Sequence, residues 1–309
     1  MNTTPTLLGI VVPYFKLTFF EETLKSLANQ TDKRFKLYIG DDASPENPLE
    51  LLNIYKGDLE FLYHRFPSNM GGTSLVKQWE RCIALTENET WLMLLGDDDT
   101  LGPNVVEKFY ESIQAVEQRS INVIRYATYV INPKNEIISK LHHHPQMENA
   151  IDFLMRKFQG GTRSTLSEYI FKMQVVKDIR FKEIPLAWYS DLLAVMEFSS
   201  FGQLYTINEA TVYFRLSSSN ITGRTDDLHI KNTAAFDFYY YLLEKKHDEF
   251  NKIQRREIYH RLEKTFLDNK KKTSFWVRFT KLYFMQGNFK RYLLFVLKAV
   301  RSILKNRIK

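Results

Sequence analysis

Three consecutive carboxylates, Asp97-Asp98-Asp99, follow the apolar run Trp91-Leu92-Met93-Leu94-Leu95 and a single Gly96. Two like charges about 5 Å apart repel by roughly 3 kcal/mol at an effective dielectric near 20. A fold that tolerates such a cluster usually supplies a cation. Mg²⁺ and Mn²⁺ suit it, because they take one or two carboxylates and leave positions for substrate phosphates. A solvated acidic turn is the alternative, and the apolar run and glycine ahead of the triplet argue against it. A second acidic pair, Asp41-Asp42, ends another apolar run. Between the two clusters lies Asn69-Met70-Gly71-Gly72, where a Gly-rich turn feeding a helix start offers backbone N–H groups to an anion.

The elements that must position these groups alternate in type. Strand signals at 7–12, 35–39, 60–64 and 91–95 are separated by helix signals at 18–30, 48–55 and 73–84, and Pro103 opens a further amphipathic helix to about Gln118. Thr18-Phe19-Phe20-Glu21 reads as a capping box for the first helix. Strands alternating with helices predict an α/β fold with a mainly parallel sheet flanked by helices, and the acidic clusters then fall at the carboxyl ends of strands, where such sheets bind ligands. Longer strands are expected at 123–131 and 207–216, and loops at 140–145 and 159–164. From about Asp226 the chain reads as helices only. The expected division is therefore a catalytic or binding domain over 1–225 and a basic C-terminal helical appendage over 226–309.

Composition narrows the classes. With 309 residues and 44% hydrophobic side chains, a real core can form. The single cysteine, Cys82, makes no internal disulfide and points to a reducing, cytoplasmic setting. The first apolar run stops at Pro13 with no basic segment before it, unlike a signal peptide, and no run approaches a transmembrane span. The net charge of +7 is uneven. Residues 270–309 carry 12 Lys/Arg and no Asp/Glu, so the remainder balances at 31 − 36 = −5. That argues against nucleic acid and for a local anionic partner.

Taken together, Val11-Val12-Pro13-Tyr14, Asp41-Asp42-Ala43-Ser44, Asn69-Met70-Gly71 and Leu95-Gly96-Asp97-Asp98-Asp99 resemble, in this order, the motifs of the family 2 glycosyltransferases of the GT-A fold. The resemblance covers roughly residues 7–222 and leaves the helical tail outside. It implies a nucleotide-sugar site built by Pro13, Asp41, Asp42, Asn69, Gly71 and Asp97, with Asp98 on the metal position and Asp99 as a third member. It implies Mn²⁺ or Mg²⁺ as cofactor. Many relatives carry Asp where this chain has Gly96, which blurs the pair that acts as Asp-x-Asp. The family's first acidic pair binds the base. A carboxylate only accepts hydrogen bonds, so Asp41 or Asp42 suits a UDP-, dTDP- or GDP-sugar rather than a CMP-sugar, with UDP favoured.

An inverting transfer also needs a base for the acceptor hydroxyl. The resemblance places it at Asp191, in Ala187-Trp188-Tyr189-Ser190-Asp191-Leu192, at the start of a helical run. Trp188 and Tyr189 are candidates for stacking on an acceptor sugar, with core packing as the alternative. Arg215 follows the last core strand as a candidate phosphate contact, with a surface ion pair as the alternative. Relatives often carry His two residues on, where this chain has Ser217. His142-His143-His144 lacks the i, i+4 spacing of a metal helix. Gly160-Gly161-Thr162-Arg163-Ser164 reads as an acceptor-side loop or a plain turn. In the tail, Lys298, Arg301, Lys305 and Lys309 share one helical face, which suits an anionic membrane surface, with a helix packed on the core and a solvated charged face as the alternative. The expected activity is metal-dependent transfer of a sugar to a saccharide acceptor, free or lipid-linked, in surface polysaccharide assembly. A sugar-phosphate nucleotidyltransferase would want a Gly-rich phosphate loop where Pro13-Tyr14-Phe15-Lys16 stands. A non-catalytic peripheral membrane protein of the same fold is the rival from another class.

Overall fold

A computed structural model describes residues 6–270 and 272–305. In chain order the first half runs β1 (Leu8–Tyr14), α1 (Phe20–Ala28), β2 (Phe35–Asp41), α2 (Leu49–Tyr55), β3 (Phe61–Arg65), α3 (Leu75–Ile83), β4 (Trp91–Leu94), β5 (Thr100–Leu101), α4 (Val105–Gln118) and β6 (Val123–Ile131). There follow β7 (Met147–Asn149), α5 (Ala150–Phe158), β8 (Tyr169–Lys172), α6 (Met173–Ile179), α7 (Ser190–Phe198) and β9 (Gln203–Arg215). The chain then continues as α8 (Leu228–Lys245), α9 (Lys252–Asp268), α10 (Thr273–Met285) and α11 (Phe289–Lys305).

The strands form one sheet in the order β3-β2-β1-β4-β8-β6-β9-β5, with β7 also on β9. Every pairing among β1–β4 is parallel, whereas β8, β5 and β7 run antiparallel to their neighbours. The expectation of a mainly parallel sheet thus describes the first half, and the second half is mixed. The chain steps from β1 out to β2 and β3, then returns to place β4 on the other side of β1. The order thus reverses beside β1, and in open sheets ligands bind at the strands' carboxyl ends where it does so. Register carries Tyr14 opposite Asp41, and Val11 opposite Leu94, so the turns after β1, β2 and β4 emerge at a common edge.

Burial explains the sequence pattern of these strands. β1 is covered on both faces and reads as a continuous apolar run. Leu8, Ile10, Val12 and Tyr14 pack with Phe20, Leu24 and Leu27 of α1 and with Val105, Val106 and Phe109 of α4. On the other face α3 comes so close that a Cβ at Gly40 would lie 2.3 Å from Cys82 Sγ. The first helix corrects one expectation. Its N-cap is Phe19, with no side-chain cap, so Thr18 and Glu21 do not form a capping box.

Two compact units divide the chain. One comprises residues 1–183 and 190–224, and holds the sheet. The other comprises residues 184–189 and 225–309, and is helical. Within the helical unit, Phe266 and Phe279 lie 4.6 Å apart by ring centroid, and Phe295 of α11 lies 4.4 Å from Phe279. This aromatic cluster forms its core.

Candidate active site

The acidic turn after β4 is fastened from three sides. The Leu95 amide donates to the Val11 carbonyl at 3.0 Å, extending the β1–β4 ladder to the turn. Asp97 Oδ2 accepts the Phe15 and Lys16 amides at 2.7 and 2.9 Å, so this carboxylate holds the loop leaving β1. Asp99 Oδ1 accepts the Arg215 amide at 2.8 Å, and its Oδ2 accepts the Ser167 hydroxyl. Asp98 differs. Its carboxylate has one long contact, 3.4 Å from the Asn220 amide. Burial raises the pKa of all three, and pushes Asp97 up to about 7 with help from the Asp98 charge. A Cβ at Gly96 would lie 3.0 Å from Asp98 Oδ1 and 3.2 Å from Asp99 Oδ2, so the glycine gives these carboxylates their room.

Asp41 and Asp42 are both buried and have separate duties. Asp41 accepts the Ser44 amide at 2.7 Å, the Tyr63 hydroxyl at 2.6 Å and Arg65 Nη1 at 2.7 Å. Asp42 accepts the Met70 and Gly71 amides at 2.6 and 2.8 Å and also pairs with Arg81. The Asn69-Met70-Gly71 loop is thus wrapped onto Asp42, and a Cβ at Gly71 would stand 2.6 Å from its Oδ2. Asn69 closes the turn by accepting the Gly72 amide at 2.6 Å. Pro13 pairs with Gly40, two residues past the last β1–β4 partner at Val11, near the carboxyl end of β1.

Arg215 is fully buried, which removes the surface ion pair as its explanation. Its Nε donates to the Asp98 carbonyl at 2.8 Å, its Nη1 to the Asn132 carbonyl at 3.1 Å, and its guanidinium lies 4.3 Å over the Phe19 ring. Among the described residues its Nη2 has no partner. The segment after β9 also returns to the site, because the Lys16 ammonium donates to the Ser219 carbonyl at 2.8 Å.

Asp191 sits in the first turn of α7. The chain enters that turn through Leu186, Ala187 and Tyr189, all with positive φ (59°, 51° and 74°). Such non-glycine conformations cost energy and gather at functional sites. Burial raises the Asp191 pKa, against the Leu192 amide and the charges of Lys157 and Arg163. Trp188 and Tyr189 belong to the helical unit. There Tyr189 stacks on Phe238 at 4.8 Å, and Trp188 lies 5.1 Å beneath the Lys231 ammonium.

Sequence reasoning missed Ser167 and Glu168, and it read Arg163 only as part of a loop. Glu168 is fully buried. Its Oε2 accepts the Thr165 amide at 3.2 Å and its Oε1 has no partner. Burial pushes it up to about 7, against the charges of Arg163 and Arg125. The Arg163 guanidinium lies 4.1 Å over Phe214, with Nη1 unpartnered, and it feels Glu168, Asp99 and Asp191 together. The available signal was the capping box Thr165-x-x-Glu168, which the structure forms around the 3₁₀ turn Leu166–Glu168. His144 is structural. Its Nδ1 accepts from Arg156 at 2.7 Å, and burial pushes its pKa down to about 2.

Among the described residues no three His, Cys, Asp or Glu side chains converge as a ligand set. A divalent ion on a phosphate substrate needs only one or two carboxylates. Asp98, partly buried and short of donors, fits that demand.

The Glycosyl transferase family 2 model matches residues 10–173. A comparison with curated protein sequences found no match. Among solved structures, S. aureus TarS superposes with a TM-score of 0.58 at 14% identity, over 84% of this chain and 43% of that one. This chain therefore spans less than half of that relative's length. TarS 1-349 in complex with UDP-GlcNAc gives 0.56 at 14% identity, over 84% and 80%. GalNAc-T7 with UDP, GalNAc and Mn²⁺ gives 0.51 at 12% identity, over 84% and 55%.

Proposed function

The chain belongs to glycosyl transferase family 2, and we propose that it transfers a sugar, with inversion, from a UDP-sugar to a saccharide acceptor. The observation that carries this reading is the shared edge. The turns after β1, β2 and β4 meet there, and Asp98 stands at that edge as a partly buried carboxylate with one weak donor. The UDP and UDP-GlcNAc bound to TarS 1-349, and the UDP and Mn²⁺ with GalNAc-T7, support the donor class.

In this reading residues 1–225 do the chemistry. Asp97 fixes the loop after β1, and Asp42 fixes the Asn69–Gly71 loop, so the walls of the donor crevice are set before donor arrives. Asp41 or Asp42 takes the base N–H. Asp98, with Asp99 behind it, would hold Mg²⁺ or Mn²⁺, which when bound offsets the charge of the departing diphosphate. The unpartnered Nη2 of Arg215 and Nη1 of Arg163 are donors suited to phosphate oxygens. Asp191 takes the acceptor hydroxyl proton as that oxygen bonds to the anomeric carbon. The bond to diphosphate breaks with its electron pair on the leaving oxygen. Burial, which raises the Asp191 pKa, makes it a stronger base. The acceptor is a glycan, free or lipid-linked, in surface polysaccharide assembly at the cytoplasmic face of the membrane.

The test is Asp191→Asn, assayed for UDP release from a UDP-sugar and for UDP affinity. Turnover should fall by about 10² to 10⁴-fold with UDP affinity unchanged. Retained turnover, or loss of UDP affinity alongside turnover, would remove Asp191 as the base.

A further inference from the structure

The last helix is amphipathic in an unusual sense, because much of its apolar surface faces water. Phe295 and Ala299 of α11 are buried against the helical unit. Phe289, Leu293, Leu297 and Val300 are 50, 62, 56 and 43% exposed. Their spacing of four, four and three residues lines them on one face. Leu294 (61%) lies beside them, and Phe284 and Met285 at the end of α10 are exposed too. Phe284 touches Phe289 edge-on at 5.0 Å, so the patch is continuous across the turn. A contiguous apolar patch of this kind marks an interaction surface.

The charge beside the patch identifies the partner. Lys290, Lys298 and Arg301 flank the apolar stripe and are exposed. Several other basic side chains in the unit pair with acids: Arg278 with Asp237 at 2.6 Å, Lys281 with Glu244 at 3.6 Å and Arg291 with Glu263 at 2.6 Å. No such pair involves Lys290, Lys298 or Arg301 among the described residues. Residues 270–309 contain no Asp or Glu, so a second copy of this surface would be repelled. Among the described residues no helix is long and apolar enough to cross a membrane. From the sequence-level basic face, Lys309 lies outside the described residues, as does the side chain of Lys305.

We propose that α11 lies flat on an anionic lipid bilayer. Phe289, Leu293, Leu297 and Val300 enter the headgroup–acyl boundary, and Lys290, Lys298 and Arg301 snorkel to lipid phosphates. An apolar stripe with basic residues on its flank is the arrangement that interfacial binding requires. The surface goes beyond the transfer reaction, and vesicle binding and UDP binding are separate readouts, so either can fail alone.

The experiment is co-sedimentation of the full chain with phosphatidylcholine vesicles, with and without phosphatidylglycerol. Binding should need the anionic lipid and weaken at high salt. Lys290→Gln/Lys298→Gln/Arg301→Gln should lower it on the order of 100-fold. Leu293→Ser/Leu297→Ser should lower it by at least about tenfold. Both variants change exposed side chains, and an unchanged melting profile checks their fold. No binding to anionic vesicles, equal binding to neutral ones, or binding indifferent to both variants would overturn the proposal. So would a self-association that the leucine changes abolish while vesicle binding persists.

Discussion

Glu168 loses water on folding and its Oε2 receives the Thr165 amide in return, while Oε1 has no partner within hydrogen-bond distance among the described residues. Burial therefore favours the neutral acid and raises its pKa to about 7, above the ordinary 4.5. The sign follows from linkage. The stability this group contributes is complete below its unfolded pKa and is lost as pH rises through about 7. Glu168→Gln should therefore flatten the fall in stability between weakly acid and weakly alkaline solution, by an amount on the order of 3 kcal/mol. Urea unfolding of both proteins near pH 4.5 and above pH 7 measures this, and an unchanged pH slope would contradict it. The same residue shows where sequence reading stops. The places of Asp97, Asp98 and Asp191 in the fold were legible because each sits at a strand or helix boundary that its own neighbours define. Glu168, Ser167 and Arg163 acquire meaning only when the fold carries the loop after α5 to the side of Asp99, and no local pattern encodes that approach.

The elements around the site were legible in proportion to their apolar length. β1, β2, β4 and β6 announce themselves as buried runs. β5, β7 and β8 span two to four residues, and are strands only because partners pair with them. The first helix misled for a different reason: the Thr18-to-Glu21 spacing is that of a capping box, but the helix starts one residue later, at Phe20. Close packing sets a further demand between elements. Gly40 in β2 faces Cys82 in α3, and the added Cβ of Gly40→Ala would sit 2.3 Å from Cys82 Sγ. The substitution should cost roughly 1–3 kcal/mol by overpacking, and a Cys82→Ala background should return part of that loss. A double-mutant cycle by chemical denaturation gives the coupling. Purely additive effects would show that the two elements have room to separate.

For the molecule as a whole, the order of the motifs was more informative than any one of them. Four short motifs, each common alone, lie along the chain in an order that a β3-β2-β1-β4 sheet folds into one edge. The mixed half of the sheet was not legible, because nothing local distinguishes a strand that joins β4 from one that extends elsewhere. The uneven charge was visible in the composition, but the sequence did not reveal that α11 keeps its apolar stripe in water. The central claim is that the common edge of β1, β2 and β4 binds a nucleoside diphosphate through a cation on Asp98. It is tested most directly by calorimetric titration of UDP, with and without Mn²⁺, into the wild-type chain and Asp98→Ala. The account predicts Mn²⁺-dependent binding that weakens at least about tenfold in the variant. UDP affinity indifferent to both Mn²⁺ and Asp98, or no binding of UDP at all, would contradict it.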